Sequence, residues 1–269
     1  MKGKGRYDHL NLKLGRTTQE ANLDPIPRKL GQEEGQVRAN YGFDLWNLWE
    51  AGYIAPSGMA QSLVLQMSYS SQTPCMVESK SLKLFLNQLS LSSFQSESHF
   101  LQGLEAAVSA CVGGTVEFQV FVPGKNLVEV QPDGVELGQH AEGMVRHESP
   151  NFEQLKWQKS EGAFSAFFQG FRSNCPVTGQ PDYATVVIES EGSRRPDATA
   201  LLSYLSAFQS VKEFHEACCE RIFSDLMVTG EPDRLKVGCY FTRRGGLDIN
   251  PVRFTDPTPV DWGKRYWRQ

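Results

Sequence analysis

The sequence predicts an α+β fold made of two consecutive copies of one ββααββ unit. Three observations carry that prediction. Residues 62–70 place Leu63, Leu65, Met67 and Tyr69 at every second position, the pattern of a half-buried antiparallel strand. Phe214, Cys218, Ile222 and Leu226 recur every four residues, which sets them on one stripe of a helix. Phe94-Gln95-Ser96 with Phe100 returns 114 positions later as Phe208-Gln209-Ser210 with Phe214. Literal self-similarity at a fixed offset marks a duplicated unit.

Residues 1–40 are polar and turn-rich, and Pro25-Ile26-Pro27-Arg28 bars a helix there. They are expected to lie as an extended arm on the surface. Residues 43–54 and 62–70 read as strands joined by a turn at Ala55-Pro56-Ser57-Gly58. After the segment that begins Val77-Glu78-Ser79-Lys80, a helix is expected from about residue 98 to 111. Phe100, Leu104, Val108 and Cys111 would form its buried face and Gly113-Gly114 its end. Residues 115–122 and 126–131 read as a hairpin around Pro123-Gly124. Residues 132–162 lack a pattern and read as a linker. The division is therefore 1–150 (arm, first module and linker) and 151–269 (second module). The second half runs strands 163–172 and 183–190, helices 197–208 and 212–227, then strands 234–243 and 248–254 turning at Gly245-Gly246. The tail from Trp262 to Gln269 is expected to pack against the body.

The two copies differ in their polar groups. At the repeat offset His215 and Glu216 face Leu101 and Gln102, and Glu78-Ser79-Lys80 face Gly192-Ser193-Arg194. Each copy holds groups that the other lacks, so one site assembled from both is expected rather than two independent sites.

Composition narrows the function. The formal net charge is -4, whereas a nucleic-acid binder usually carries a basic surplus. No nucleic-acid contact is therefore expected. No apolar run approaches the roughly 20 residues of a spanning helix, and no secretory leader is read at the start. Six cysteines without a CxxC, and histidines without ligand spacing to them, suit a cytoplasmic protein with reduced thiols and no bound metal.

Four stretches carry chemistry. Ser173-Asn174-Cys175-Pro176-Val177-Thr178-Gly179-Gln180-Pro181-Asp182 sets a thiol and a carboxyl group a short turn apart. A thiolate is a strong nucleophile, and a nearby carboxyl group moves protons. Glu78-Ser79-Lys80-Ser81-Leu82-Lys83 gathers hydroxyls and ammonium groups at a helix start, where backbone N–H groups also suit phosphate oxygens. Its glutamate suits the N–H edge of an amidine-like ring. His215-Glu216 opens a helix between buried Phe214 and Cys218, and Arg243-Arg244-Gly245-Gly246 sits at a strand end. There a guanidinium fork and a close backbone approach suit a phosphate. Each stretch alone also has a plain structural reading: a buried thiol, a solvated first turn, a helix-surface pair, a hairpin tip. No GxGxxG or GxxxxGK[ST] motif is present, which disfavours a Rossmann domain and a P-loop.

Together the four stretches resemble the NADPH-dependent 7-cyano-7-deazaguanine reductases, the nitrile reductases of queuosine biosynthesis. The resemblance spans nearly the whole chain and is closest from Ser173 to Pro251. The split of the motifs between the halves is similar to the two-module branch. The resemblance implies tandem tunnelling-fold modules, antiparallel sheets with helices on one face. It implies Cys175 as nucleophile, forming a thioimide with the nitrile, and Asp182 as proton donor. It implies Val77, Glu78, Ser79, His215 and Glu216 around the deazaguanine, and Ser79, Lys80, Arg244 and Gly245 around NADPH. Two NADPH would take the nitrile to the aminomethyl group. A two-module chain holds half of a four-module assembly, so a homodimer is expected. Cys218 is either core packing or a partner for a protective disulfide with Cys175. The competing readings are another purine or pterin enzyme on the same fold, of cyclohydrolase or aldolase type, and a non-catalytic purine-binding or thiol-sensing protein.

Overall fold

The computed structural model describes residues 22–31, 36–122 and 124–269. The first half comprises β1 (Pro25–Pro27), β2 (Tyr41–Ile54), β3 (Ala60–Ser70), β4 (Cys75–Val77), α1 (Ser79–Ser90), α2 (Glu97–Val112) and β5 (Val116–Phe121). Two short strands follow, β6 (Val128–Val130) and β7 (Val135–Glu136). The second half comprises β8 (Trp157–Asn174), β9 (Pro181–Pro196), α3 (Ala198–Ser206), α4 (His215–Gly230), β10 (Arg234–Phe241), β11 (Leu247–Phe254) and β12 (Lys264–Tyr266).

Among the described residues, eight strands form one sheet in the order β5-β3-β2-β11-β10-β9-β8-β7. All neighbours pair antiparallel except β7 with β8. The halves join where β2 and β11 register from Leu48 opposite Leu247 to Tyr41 opposite Phe254. The fold is thus α+β and mainly antiparallel.

Strand periodicity sorts the side chains. Trp46 and Leu48 of β2, with Leu247 and Ile249 of β11, join the core under α1 and α2. Phe43 and Leu45, with Val252 and Phe254, form a separate cluster on the opposite face, as alternation requires. A bulge between Leu48 and Ala51 resets the parity, so Ala51 and Tyr53 return to the helix-side core. In the second half Leu201, Leu205, Cys218, Ile222 and Leu226 pack on Val237, Cys239 and Phe241.

Local signals account for the helix ends. Ser96 caps α2 by accepting from the His99 N–H at 3.1 Å, and Gly113 ends it at φ 74°, a left-handed turn that glycine adopts at little cost. Asp197 caps α3 by accepting from the Ala200 N–H at 2.9 Å.

Three expectations change. Pro25–Gly31 is no surface arm: Ile26 is buried, β1 pairs with β4, and the buried Arg28 donates to Asp44. A lone arginine in a polar stretch reads as solvated, and it is Asp44, 16 positions away, with Thr73 and Ser70, that makes its burial tolerable. Residues 1–21 of the same stretch lie outside the described residues. Second, 115–122 and 126–131 do not pair. The Asn126 side chain accepts from the Val122 N–H at 2.7 Å and turns the chain, and β6 pairs parallel with β12 of the tail. The first half therefore adds three strands to the sheet, not four. Third, the linker ends sooner, because β8 begins at Trp157. Within it, Leu137 is fully buried in the second-half core. The tail packs as expected, with the Gln269 side chain donating to Asn250 Oδ1.

Candidate active site

The thiol lies at the tip of the β8–β9 hairpin. Ser173 pairs with Asp182 and Asn174 with Pro181 across that hairpin. The Cys175 N–H donates to the Gln180 carbonyl at 2.8 Å, and the Gly179 N–H donates to the Cys175 carbonyl at 2.9 Å. Gly179 takes φ 68°, which closes the turn at little cost because glycine has no Cβ. The turn is fixed from behind: Asn174 donates from its backbone N–H to the Val211 carbonyl at 2.8 Å and from its side chain to the Gln209 carbonyl at 2.7 Å. Cys175 is thereby held half-buried with Asp182, which is 9% exposed, on the adjoining strand.

Both face a pocket of about 770 Å³, counting the solvent in its mouth. The first half supplies Ile26, Trp46, Val77, Glu78, Ser79 and Lys83 to it. The second supplies Cys175, Asp182, His215, Glu216, Phe241 and Arg244. Glu78 and Cys175, nearly 100 residues apart in sequence, thus line one cavity.

Asp182 has two nitrogen-bearing side chains beside it. The Arg244 guanidinium donates from Nη1 to Asp182 Oδ1, and from Nη2 to Gln180 Oε1 at 2.9 Å. His215 Nε2 lies 3.4 Å from Asp182 Oδ2, and its ring lies flat on Phe241. Glu216, 3% exposed at the start of α4, has its carboxyl group pushed up to about 7, chiefly by burial and then by the charge of Asp44. His215 and Arg28 oppose that shift.

Glu78 occupies the start of α1. Its Oε1 accepts from the Lys80 N–H at 2.9 Å and its Oε2 from the Ser81 N–H at 2.6 Å. The helix-start N–H groups expected to meet a phosphate are therefore already engaged by this cap. The cations lie elsewhere. Lys83, one turn along α1, lines the pocket, whereas Lys80 does not. Burial holds the Lys83 ammonium below its ordinary range; Arg244 pushes the same way, and Glu78, Asp182 and Cys175 oppose it. Gly245 lies outside the lining, but a Cβ placed on it would meet Lys83 Nζ at 3.2 Å, so its bare backbone lets the lysine lie alongside. Lys83 and Arg244 together suit a phosphate-bearing cofactor.

Of the sequence-selected residues, Cys175, Asp182, Val77, Glu78, Ser79, His215, Glu216 and Arg244 converge on the pocket, and Lys80 and Gly245 flank it. Sequence reasoning counted Lys83 among the ammonium groups of its motif but assigned the cofactor contact to Lys80, three residues earlier. It missed Trp46 and Phe241, which read only as strand core. Cys218, weighed as a partner for Cys175, has no exposed surface and sits in the second-half core. Among the described residues, no group of three or more His, Cys, Asp and Glu side chains gathers as a metal site, and no helix is long and apolar enough to cross a membrane.

A thiol and a carboxyl group in one pocket with two cations, one of them hydrogen-bonded to that carboxyl group, suit a thiol-bearing enzyme site for a small molecule and a phosphorylated cofactor. Residues 16–120 match the family model "Nitrile reductase, 7-cyano-7-deazaguanine-reductase N-term", and residues 181–258 match the model of QueF-like proteins. The chain is 37% identical over 248 residues to the NADPH-dependent 7-cyano-7-deazaguanine reductase of Legionella pneumophila (strain Corby), covering 89% of this chain and 86% of that one. It is 35% identical over 239 residues to the enzyme of that name from Acinetobacter baumannii (strain AYE), covering 88% of each. The chain belongs to the NADPH-dependent 7-cyano-7-deazaguanine reductase family.

Proposed function

We propose that this chain reduces the nitrile of 7-cyano-7-deazaguanine to the aminomethyl group of 7-aminomethyl-7-deazaguanine with NADPH, in queuosine biosynthesis. The observation that carries the reading is the convergence of Cys175, Asp182, Glu78 and Glu216 on one pocket built by both halves.

A nitrile accepts hydride poorly, and a protonated C=N bond activated by sulfur accepts it better. Cys175 adds through sulfur to the nitrile carbon while Asp182 passes a proton to the nitrogen. The C≡N bond becomes a C=N–H bond carrying sulfur, a thioimide, and the thiol proton replaces the one Asp182 gave. Two NADPH, one for each two-electron stage, supply the hydrides when bound. Cys175 leaves as thiolate between the stages and is restored as nucleophile.

Glu216 accepts hydrogen bonds from the N–H edge of the base, with Val77, Glu78, Ser79 and His215 around it. Ser79, Lys80, Arg244 and Gly245 hold NADPH, and Lys83 joins them. Lys80 and Gly245, beside the pocket rather than in its lining, suit a ligand longer than the base alone. We read residues 1–150 and 151–269 as tandem tunnelling-fold modules that pair as a cytoplasmic homodimer. The substrate is a small molecule and no nucleic acid is bound directly.

The test is to mix protein, NADPH and 7-cyano-7-deazaguanine and follow nicotinamide absorbance and intact-protein mass. A thiol adduct with NADPH oxidation is expected. Neither would leave a purine-binding or thiol-sensing role.

A further inference from the structure

Arg244 spans the nucleophile's turn, with Nη1 on Asp182 and Nη2 on Gln180. Those two nitrogens are also the pair that would grip a phosphate bidentately. The guanidinium is 42% exposed whereas Asp182 is 9% exposed, so the arginine is the partner with room to move. Lys83 repels it from the pocket side, and neighbouring Gly245, at φ 59°, leaves the loop without a side chain that would block a swing.

The Arg244 guanidinium occupies Asp182 Oδ1, yet the role proposed for Asp182 needs that carboxyl group turned to the nitrile nitrogen. The groups that bear on it are His215 from α4, Lys83 from α1, Cys175 and Gln180 from its own turn, and Arg244 from the β10–β11 loop; Cys218 lies behind the turn. Arg244 alone of these donates a hydrogen bond to Asp182.

We propose that Arg244 is a positioning residue shared between Asp182 and the cofactor: phosphate binding draws the guanidinium off Asp182 and leaves that carboxyl group to His215 and the nitrile nitrogen. The acid is engaged while the cofactor is away and released when it arrives. This rests on the reading of the pocket as an NADPH-dependent nitrile reductase site.

A shared partner predicts competition, which a double-mutant cycle measures. NADP⁺ affinity is titrated calorimetrically on the whole protein as wild type, Asp182→Asn, Arg244→Gln and the double variant. Asp182→Asn is expected to tighten NADP⁺ binding about three- to tenfold, because an amide holds the guanidinium less firmly than the carboxyl group it replaces. In the Arg244→Gln background it should change affinity by less than about twofold. Equal tightening in both backgrounds would reflect only the loss of a nearby negative charge and would overturn the proposal, as would no tightening in either. Wild type that binds 7-cyano-7-deazaguanine but not NADP⁺ would remove the cofactor reading and this inference with it. Asp182→Ala repeats the cycle should the asparagine variant fold poorly.

Discussion

His215 lies flat against Phe241, with ring centroids 3.8 Å apart and planes 16° apart. The stack fixes the imidazole plane and aims Nε2 at Asp182. The α4 residue is thereby oriented by a β10 residue.

His215→Phe keeps the aromatic stack and removes the N–H group. Turnover should fall about 10- to 100-fold, because the polar contact that orients the acid is lost, while KM for the nitrile changes less than about threefold. His215→Ala should raise KM as well, since the ring wall is lost. Steady-state kinetics on both variants separate the two effects.

Cys175→Ala should abolish both the mass adduct and turnover. Asp182→Ala should still form some adduct but turn over about 10²–10⁴-fold more slowly, the usual contribution of a positioned acid. Normal turnover by Cys175→Ala would exclude sulfur as the nucleophile.

Glu216 sets a pH dependence. Its folded value of about 7 lies above its ordinary 4.5, so the folded state binds the proton more tightly. The cost of burying the charge is absent at pH 4 and grows as pH rises from about 4.5 through 7, so ligand-free stability should fall across that window relative to Glu216→Gln. Binding the donor edge of the base needs the carboxylate. Affinity for 7-cyano-7-deazaguanine should therefore drop about tenfold per pH unit below about 7, with proton release, and this slope should vanish in Glu216→Gln. Calorimetry in buffers of different ionisation enthalpy counts the protons.

Arg28 and Arg253 share Asp44, which has no exposed surface. Arg28→Met removes one partner from a buried cluster and should cost about 3–5 kcal/mol in denaturant unfolding. Because Arg28 also opposes the rise at Glu216, the pH midpoint for substrate binding should move upward in the same variant.

Local pattern made much of this legible. The alternation of Leu63 to Tyr69 gave β3, the four-residue recurrence from Phe214 gave α4, and the Cys175-to-Asp182 spacing gave the hairpin tip. The rest depends on partners distant in sequence. Nothing near Arg28 announces Asp44, nothing near Asp182 announces Arg244 62 positions on, and the pairing of β6 with the tail overrode the hairpin that local turn residues suggested. Lys83 stands in the same motif as Lys80, but which face of α1 meets the pocket is set by how α1 docks on β2.

The eight-residue ladder between β2 and β11 has a mechanical consequence. Swinging one half away from the other would break that row of backbone hydrogen bonds, whereas shifting the 175–180 turn or the 243–246 loop breaks only a few contacts. The easier way into the cavity is therefore over its rim, past that turn and loop, rather than through the floor that carries Trp46 and Ile249.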